Sequence, residues 1–266
     1  MLILSPYCGE NKLRSCSLYR ELAKYYDIIV EPFVETGREN KFLGRILAEH
    51  NAKSALDIAC GTGRHAIPLS KRGFRITGID SSRAMIRIAR KKAVEKKSKA
   101  QFLARDCRKM GFRNAFDAAY CMWNSFYLLP YNGMLRCLNK ALKENGILII
   151  DGKDWVNVRK KLKGKSQTVW ENELVKGKKT IRIHREDFFT GTRRIVNVEY
   201  GINGKRFSTK EAGETIPLGA LEKILERHGF RVIEKYRDLK KWSESSSDSV
   251  QLVARKSINP SRSPRV

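Results

Sequence analysis

Between residues 55 and 152, five short apolar runs alternate with longer charged stretches, and this rhythm restricts the fold more than any other feature of the chain. The runs are ALDIAC (55–60), FRITGID (74–80), AQFLARD (100–106), FDAAYCM (116–122) and GILIIDG (146–152). Between them helices are expected at about 64–73, 82–96 and 132–144, the last two with apolar residues at three- and four-residue steps. Strands alternating with helices imply parallel βαβ units, and right-handed crossovers then place helices on both faces of one sheet. Further along, LGALEKILERHG (218–229) reads as a helix stopped by Gly229. FRVIEKYRD (230–238) and SVQLVARK (249–256) read as two more strands separated by a serine-rich loop. The expectation is an α/β fold, a doubly wound Rossmann-like sheet of seven strands.

Residues 153–210 break the rhythm. TVWENELV, TIRIHREDFF and RRIVNVEYGI alternate β-branched and aromatic residues with polar ones, and Gly177, Gly191 and Gly204 stand at expected turns. This predicts an antiparallel insertion leaving the carboxyl end of the fifth strand, the edge where open α/β sheets bind ligands. A lid or substrate wall is its expected role. The expected organisation is therefore a binding domain of residues 1–152 and 211–257, a lid at 153–210, and a flexible tail at 258–266. Ahead of the first strand, 17–33 is expected to form an aromatic-rich helix ended near Pro32, and 39–50 a second one.

Hydrophobic residues make up 41% of the 266, which supports a packed core and excludes global disorder. The apolar start Met1–Leu4 stops at Ser5-Pro6 without a basic lead-in, and no apolar run reaches the roughly 18 residues of a membrane helix. Cys8, Cys16, Cys60, Cys107, Cys121 and Cys137 form no Cys-x-x-Cys pair and stand at no metal-ligand spacing from the four histidines, so reduced thiols in a cytoplasmic protein are expected and no metal site is. The net charge of +26 must be explained, since it is the kind of balance that neutralises phosphates. The eight basic residues of Arg83–Lys99 fall on a helix whose solvated face explains them, which leaves KKLKGK (160–165) as the better RNA contact.

The chemistry concentrates at ALDIACGTGRHA. Asp57 stands near the end of a buried strand, and Gly61-Thr62-Gly63 turns into the next helix. A Cβ in that turn would hold a ligand off the backbone, and the helix start offers unpaired N–H groups. Asp80 ends the second strand 23 residues further on, where a carboxylate can accept from both ribose hydroxyls of an adenosine, and Asp106 ends the third. Residues 61–66 also satisfy a dinucleotide fingerprint, which would suit an NAD-dependent oxidoreductase. Against it stand the acid inside the first strand, the third strand-terminal acid, and about fifty residues ahead of the first strand.

In this combination the chain resembles the class I S-adenosylmethionine-dependent methyltransferases, over roughly residues 19–152 and 217–256. The resemblance implies a sheet whose last strand is antiparallel, and S-adenosyl-L-methionine as cofactor. It implies that Asp57, Gly61 and Gly63, with Ala59 where many members have the first glycine, hold the methionine portion. Asp80 with Ser81 would bind the ribose, Asp106 with Cys107 the adenine side, and Cys121 would lie beside the methionine portion. The segment CMWNSFYLL resembles the small-molecule branch, which includes amino-sugar and glycine-type N-methyltransferases. There a Tyr-Asp pair, here Tyr26-Asp27, places the tyrosine over the methyl region, and Arg38 is a candidate for the cofactor carboxylate. Tyr127 is the nearest polar candidate for a base, because the histidine of some sugar-amine members aligns near Leu128. Methyl transfer to an N or O atom of a small-molecule acceptor is the expected function, with tRNA or rRNA as the alternative.

Overall fold

A computed structural model describes residues 19–176, 179–202, 205–242 and 247–257. Cys8, Cys16, the turn glycines 177 and 204 and the tail 258–266 lie outside the described residues. The five apolar runs form β1 (Ser54–Ile58), β2 (Arg75–Asp80), β3 (Gln101–Ala104), β4 (Phe116–Cys121) and β5 (Leu142–Lys153). Every residue of β1 is buried, as a strand covered on both faces must be. The connecting helices are α3 (Ala66–Lys71), α4 (Arg83–Glu95) and α5 (Tyr131–Ala141), and α2 (Thr36–Glu49) precedes β1. Ser82 caps α4, accepting from the Met85 N–H at 3.2 Å.

β1 pairs in parallel with β2 and β4, β2 with β3, and β4 with β5. Near the C-terminal end, α7 (Leu218–Arg227) leads into β10 (Phe230–Arg237). β12 (Ser249–Lys256) then inserts antiparallel between β10 and β5. The two residues Lys240–Lys241 form β11 and extend the expected seven strands to eight, in the order β11-β10-β12-β5-β4-β1-β2-β3. One core lies on each face. Leu135, Leu138 and Leu225 belong to the first; Leu43, Leu47, Leu69 and Ile86 belong to the second.

The insertion is a four-stranded meander: β6 (Gln167–Lys176), β7 (Lys179–Thr190), β8 (Arg193–Ile202) and β9 (Lys205–Glu214). It follows the short helix α6 (Trp155–Lys161), and its last strand runs to Glu214, past residue 210. The stretch expected to be one helix at 17–33 is broken where it is described. It holds a 3-10 turn at Ala23–Tyr25, α1 (Tyr26–Val30) and a second 3-10 turn at Glu31–Phe33 around Pro32, a residue that cannot continue a helix interior. What orders this segment is burial. Leu22, Ile29 and Val30 share a third core with Ile181, Ile183, Val196 and Val198 of the meander, so the two form one cover over the sheet edge. The helix expected at 132–144 ends at Ala141. Leu142 already pairs with Phe116, and Asn145 adopts φ 58° before the strand resumes.

Candidate active site

Under the cover, at the carboxyl ends of β1, β2, β4 and β5, lies a cavity of about 810 Å³. Its floor is Ala59, Gly61 and Asp80. The loop after β4 supplies Trp123, Asn124 and Ser125, and the meander supplies Arg185, Arg194 and Glu211. A smaller recess around Asp57, Gly61 and Arg64 adjoins it through the shared walls Tyr26, Gly61 and Trp123.

The glycine turn is shaped for close approach. Gly61 and Gly63 have φ of +53° and +81°, and a Cβ on Gly63 would meet the Phe102 ring at 2.8 Å. Asp80 braces the turn from β2: its Oδ2 accepts from the Gly61 N–H at 3.0 Å and its Oδ1 from the Ser82 N–H at 2.8 Å. Asp80 also lines the cavity. Asp57 is 2% exposed and its Oδ2 has no hydrogen-bond partner. Burial pushes its carboxyl up to about 8, against the opposing influence of the Tyr120 hydroxyl and Arg64. Facing the same recess, Arg64 lies 5.1 Å over the Trp123 ring and its Nη1 is also without a partner.

Tyr26 lines both spaces, 3.8 Å from where a Cβ on Gly61 would stand. Burial, against the pull of Arg64, raises its hydroxyl to about 12. Its neighbour Asp27 ties the segment to the turn by accepting from Thr62 Oγ1 at 2.6 Å and Lys92 Nζ at 3.0 Å. Trp123 and Asn124 both sit in the left-handed region, at φ 58° and 60°. Such strain persists where the surroundings over-determine it. Here Asp151, buried at the end of β5, accepts the Trp123 N–H at 2.7 Å and the Gln251 amide at 2.8 Å.

Not every expected residue reaches the cavity. Asp106 is turned onto Arg108, which donates from Nε and Nη2 at 3.0 and 2.6 Å to Oδ2 and holds the carboxyl below its ordinary value. Ser81 is exposed, Cys107 and Cys121 are buried in the first core, and none of these four lines either space. Arg38 pairs with Glu35 and Asp238 at the surface. Tyr127 does line the cavity, but its hydroxyl donates to the Lys153 carbonyl at 3.3 Å, and burial raises its pKa, so it keeps its proton and is no resting base. Its ring occupies the space a Cβ on Gly152 would need. Sequence reasoning missed Arg64 of the recess and Asp151, Arg194 and Glu211 of the cavity.

The profile of a methyltransferase domain family matches residues 55–146, the span that carries β1 to the start of β5. Residues 55–146 are a methyltransferase domain, and the enzyme is an S-adenosylmethionine-dependent methyltransferase. This methyltransferase is 27% identical over 228 residues to a glycine/sarcosine N-methyltransferase of Parasynechococcus marenigrum, covering 80% of this chain and 75% of the relative. Its fold matches an S-adenosylmethionine-dependent methyltransferase from Clostridium acetobutylicum with a TM-score of 0.75 at 18% identity, over 89% of this chain and 98% of that one. A sugar N-methyltransferase from a Streptoalloteichus species matches with a TM-score of 0.72 at 17% identity, over 97% and 99%. The cofactor of the methyltransferase is S-adenosylmethionine. The recess fits the amino-acid end of that molecule in kind: a buried carboxylate oxygen and a buried guanidinium nitrogen, both unpartnered, flank a glycine turn.

Proposed function

We propose that the enzyme methylates the amino group of a small acceptor, and one contrast carries this reading. The chain has a net charge of +26, yet its cavity is walled by nine carboxylate side chains and only three cationic ones. A polyanion would be repelled from such a wall, whereas an ammonium is drawn into it. The basic run at 160–165 supports the same conclusion: Val158 and Leu162 of this region line the cavity, while Lys160, Lys161, Lys163 and Lys165 do not. Rings at Tyr26, Trp123 and Trp155 add faces suited to an organic cation. That two of the similar proteins are described as N-methyltransferases agrees with an amine acceptor.

In this reading Asp57 and Arg64 hold the ammonium and carboxylate of the methionine portion. Asp80 takes the ribose hydroxyls, and the backbone of Ala59, Gly61 and Gly63 lets the cofactor lie against the turn. When bound, S-adenosylmethionine supplies a methyl group on a positively charged sulfur, already attached to a good leaving group. The protein's work is therefore alignment and exclusion of water. Tyr26 and Trp123 shape the space where the acceptor nitrogen approaches, and Asp151 fixes the loop that carries Trp123. Tyr26 and Tyr127 stay protonated near neutral pH, so the ammonium drawn into the cavity loses its proton to cavity water or a wall carboxylate before transfer.

The test is the salt dependence of turnover. A compact amine should give a kcat/KM that changes less than threefold between 50 and 200 mM salt, about that in the variant with Lys160, Lys161, Lys163 and Lys165 all changed to Gln as well. A fall of roughly a thousandfold or more over that range, flattened in the variant, would establish RNA as the acceptor and overturn this reading.

A further inference from the structure

Two of the three cations of the cavity wall are grouped. Arg185 and Arg194 stand on the inner face of the meander, on β7 and β8, on either side of Asp187, whose carboxylate they share. Arg185 donates to Asp187 from Nε at 2.9 Å and Nη2 at 3.2 Å; Arg194 donates from Nε at 2.7 Å and meets the same carboxylate from Nη2 at 2.5 Å. Asp187 is thus one carboxylate held between two guanidiniums. Two further carboxylates of β9 line the cavity, Glu211, which accepts from the Tyr19 hydroxyl at 2.7 Å, and Glu214, which accepts from the Tyr131 hydroxyl at 3.1 Å, so what the arginines offer an anion is N–H donors rather than net positive charge. An arginine has five donors, and the contacts to Asp187 use Nε and Nη2 of Arg194, which leaves Nη1. Burial lowers the pKa of Arg194 against the opposing pull of Asp187 and Glu211, the mark of a desolvated cation. The guanidinium lies 5.5 Å over the ring of Trp155, which is 5% exposed and whose Nε1–H has no acceptor. The large sheet contributes Asp80 of β2 and Asp151 and Lys153 of β5 to the wall. Tyr127 and Phe189 line the space as well. The cavity thus has an aromatic wall and a cluster of N–H donors on the meander.

We propose that Arg194, seconded by Arg185 and the Trp155 indole, is the specificity residue of this enzyme and binds an anionic group of the acceptor, a carboxylate or a phosphate. The acceptor is then a zwitterion with its amine at the cofactor end and its anion at the meander end, separated by an apolar spacer. This rests on the reading that a small amine is methylated. Its volume of about 810 Å³ lies within the range of pockets that take extended ligands, roughly 300–1,000 Å³.

A matched series tests it: phenethylamine, 4-(2-aminoethyl)benzoate and O-phosphotyramine, with glycine alongside, assayed by S-adenosylhomocysteine release. One anionic probe should exceed phenethylamine and glycine in kcat/KM by at least tenfold, and which one does so tells carboxylate from phosphate. Arg194→Met leaves Arg185 to pair with Asp187. It should reduce that preference tenfold or more through KM, with kcat for the anionic probe within about threefold, and Arg194→Lys should restore part of it. S-adenosylhomocysteine affinity by calorimetry confirms that the variants fold. Equal use of phenethylamine, a preference for glycine, turnover of none of the probes by enzyme that binds S-adenosylhomocysteine, or an Arg194→Met effect equal on all probes would each overturn the proposal while leaving an amine acceptor possible. Methyl label found only in RNA would instead remove the reading beneath it.

Discussion

Asp57 concentrates the conflict between stability and function in this protein. Its carboxyl is buried beside the glycine turn and its pKa is raised from 3.8 to about 8. In the folded, ligand-free enzyme the group therefore stays protonated at pH 7, whereas in the unfolded chain it ionises. An acid whose folded pKa is raised favours the native state fully below pH 4, and that contribution is lost as pH climbs toward 8. At about 1.36 kcal/mol per pH unit, the loss at pH 7 is about 4 kcal/mol. Asp57→Asn keeps the shape and cannot ionise. The ligand-free variant should be as stable as the parent at pH 4 and about 4 kcal/mol more stable at pH 7, which for a chain of this size raises Tm by roughly 8–16 °C. Cofactor affinity should move the other way. An ammonium needs Asp57 ionised, so parent affinity for S-adenosylhomocysteine should rise several-fold from pH 6.5 to 8, and the variant should bind weakly with no such rise. Thermal melts from pH 4 to 8 with and without S-adenosylhomocysteine, plus calorimetry, measure both effects. Melting curves of parent and variant that stay parallel across pH, or undiminished affinity in the variant, would refute the reasoning.

Asp80→Ala should weaken S-adenosylhomocysteine binding by about 1.5–3 kcal/mol, since a buried acceptor is lost from both the turn and the ligand. Asp106→Ala should change it less than threefold, because that carboxylate is spent on Arg108; calorimetry compares the two. Arg64→Met should weaken binding tenfold or more, with no loss of folded structure by circular dichroism. Tyr127→Phe removes only a 3.3 Å bond to a backbone carbonyl, so kcat should stay within about threefold and its pH profile should not shift.

The glycine turn and the acids of β1 and β2 were legible because their chemistry is written in contiguous residues, on elements whose period is plain. Arg64 was within sight, directly after Gly63. What marks it is the Trp123 ring and the recess beside Asp57, and these meet only when β1 and β4 pair. Asp106 illustrates the converse. Its strand-end position resembled that of Asp80, yet Arg108, two residues on, captures it locally, a competition that the stretch RDCRK displays without deciding. The end of the meander was hidden because KEAGE has poor strand propensity. It is held as β9 by ten-residue pairing with β8, which aims Glu211 at the cavity. The broken N-terminal helix has the same cause: its conformation follows from the core it shares with a sheet more than a hundred residues away.

The central claim is that an acidic, aromatic cavity on a basic methyltransferase takes a small amine. Incubating the enzyme with S-adenosylmethionine labelled in its methyl group, together with an extract of small metabolites and with total unmodified RNA, tests it most directly. The account predicts label in an amine of the small-molecule fraction, released in step with S-adenosylhomocysteine. Label carried by RNA alone would contradict it.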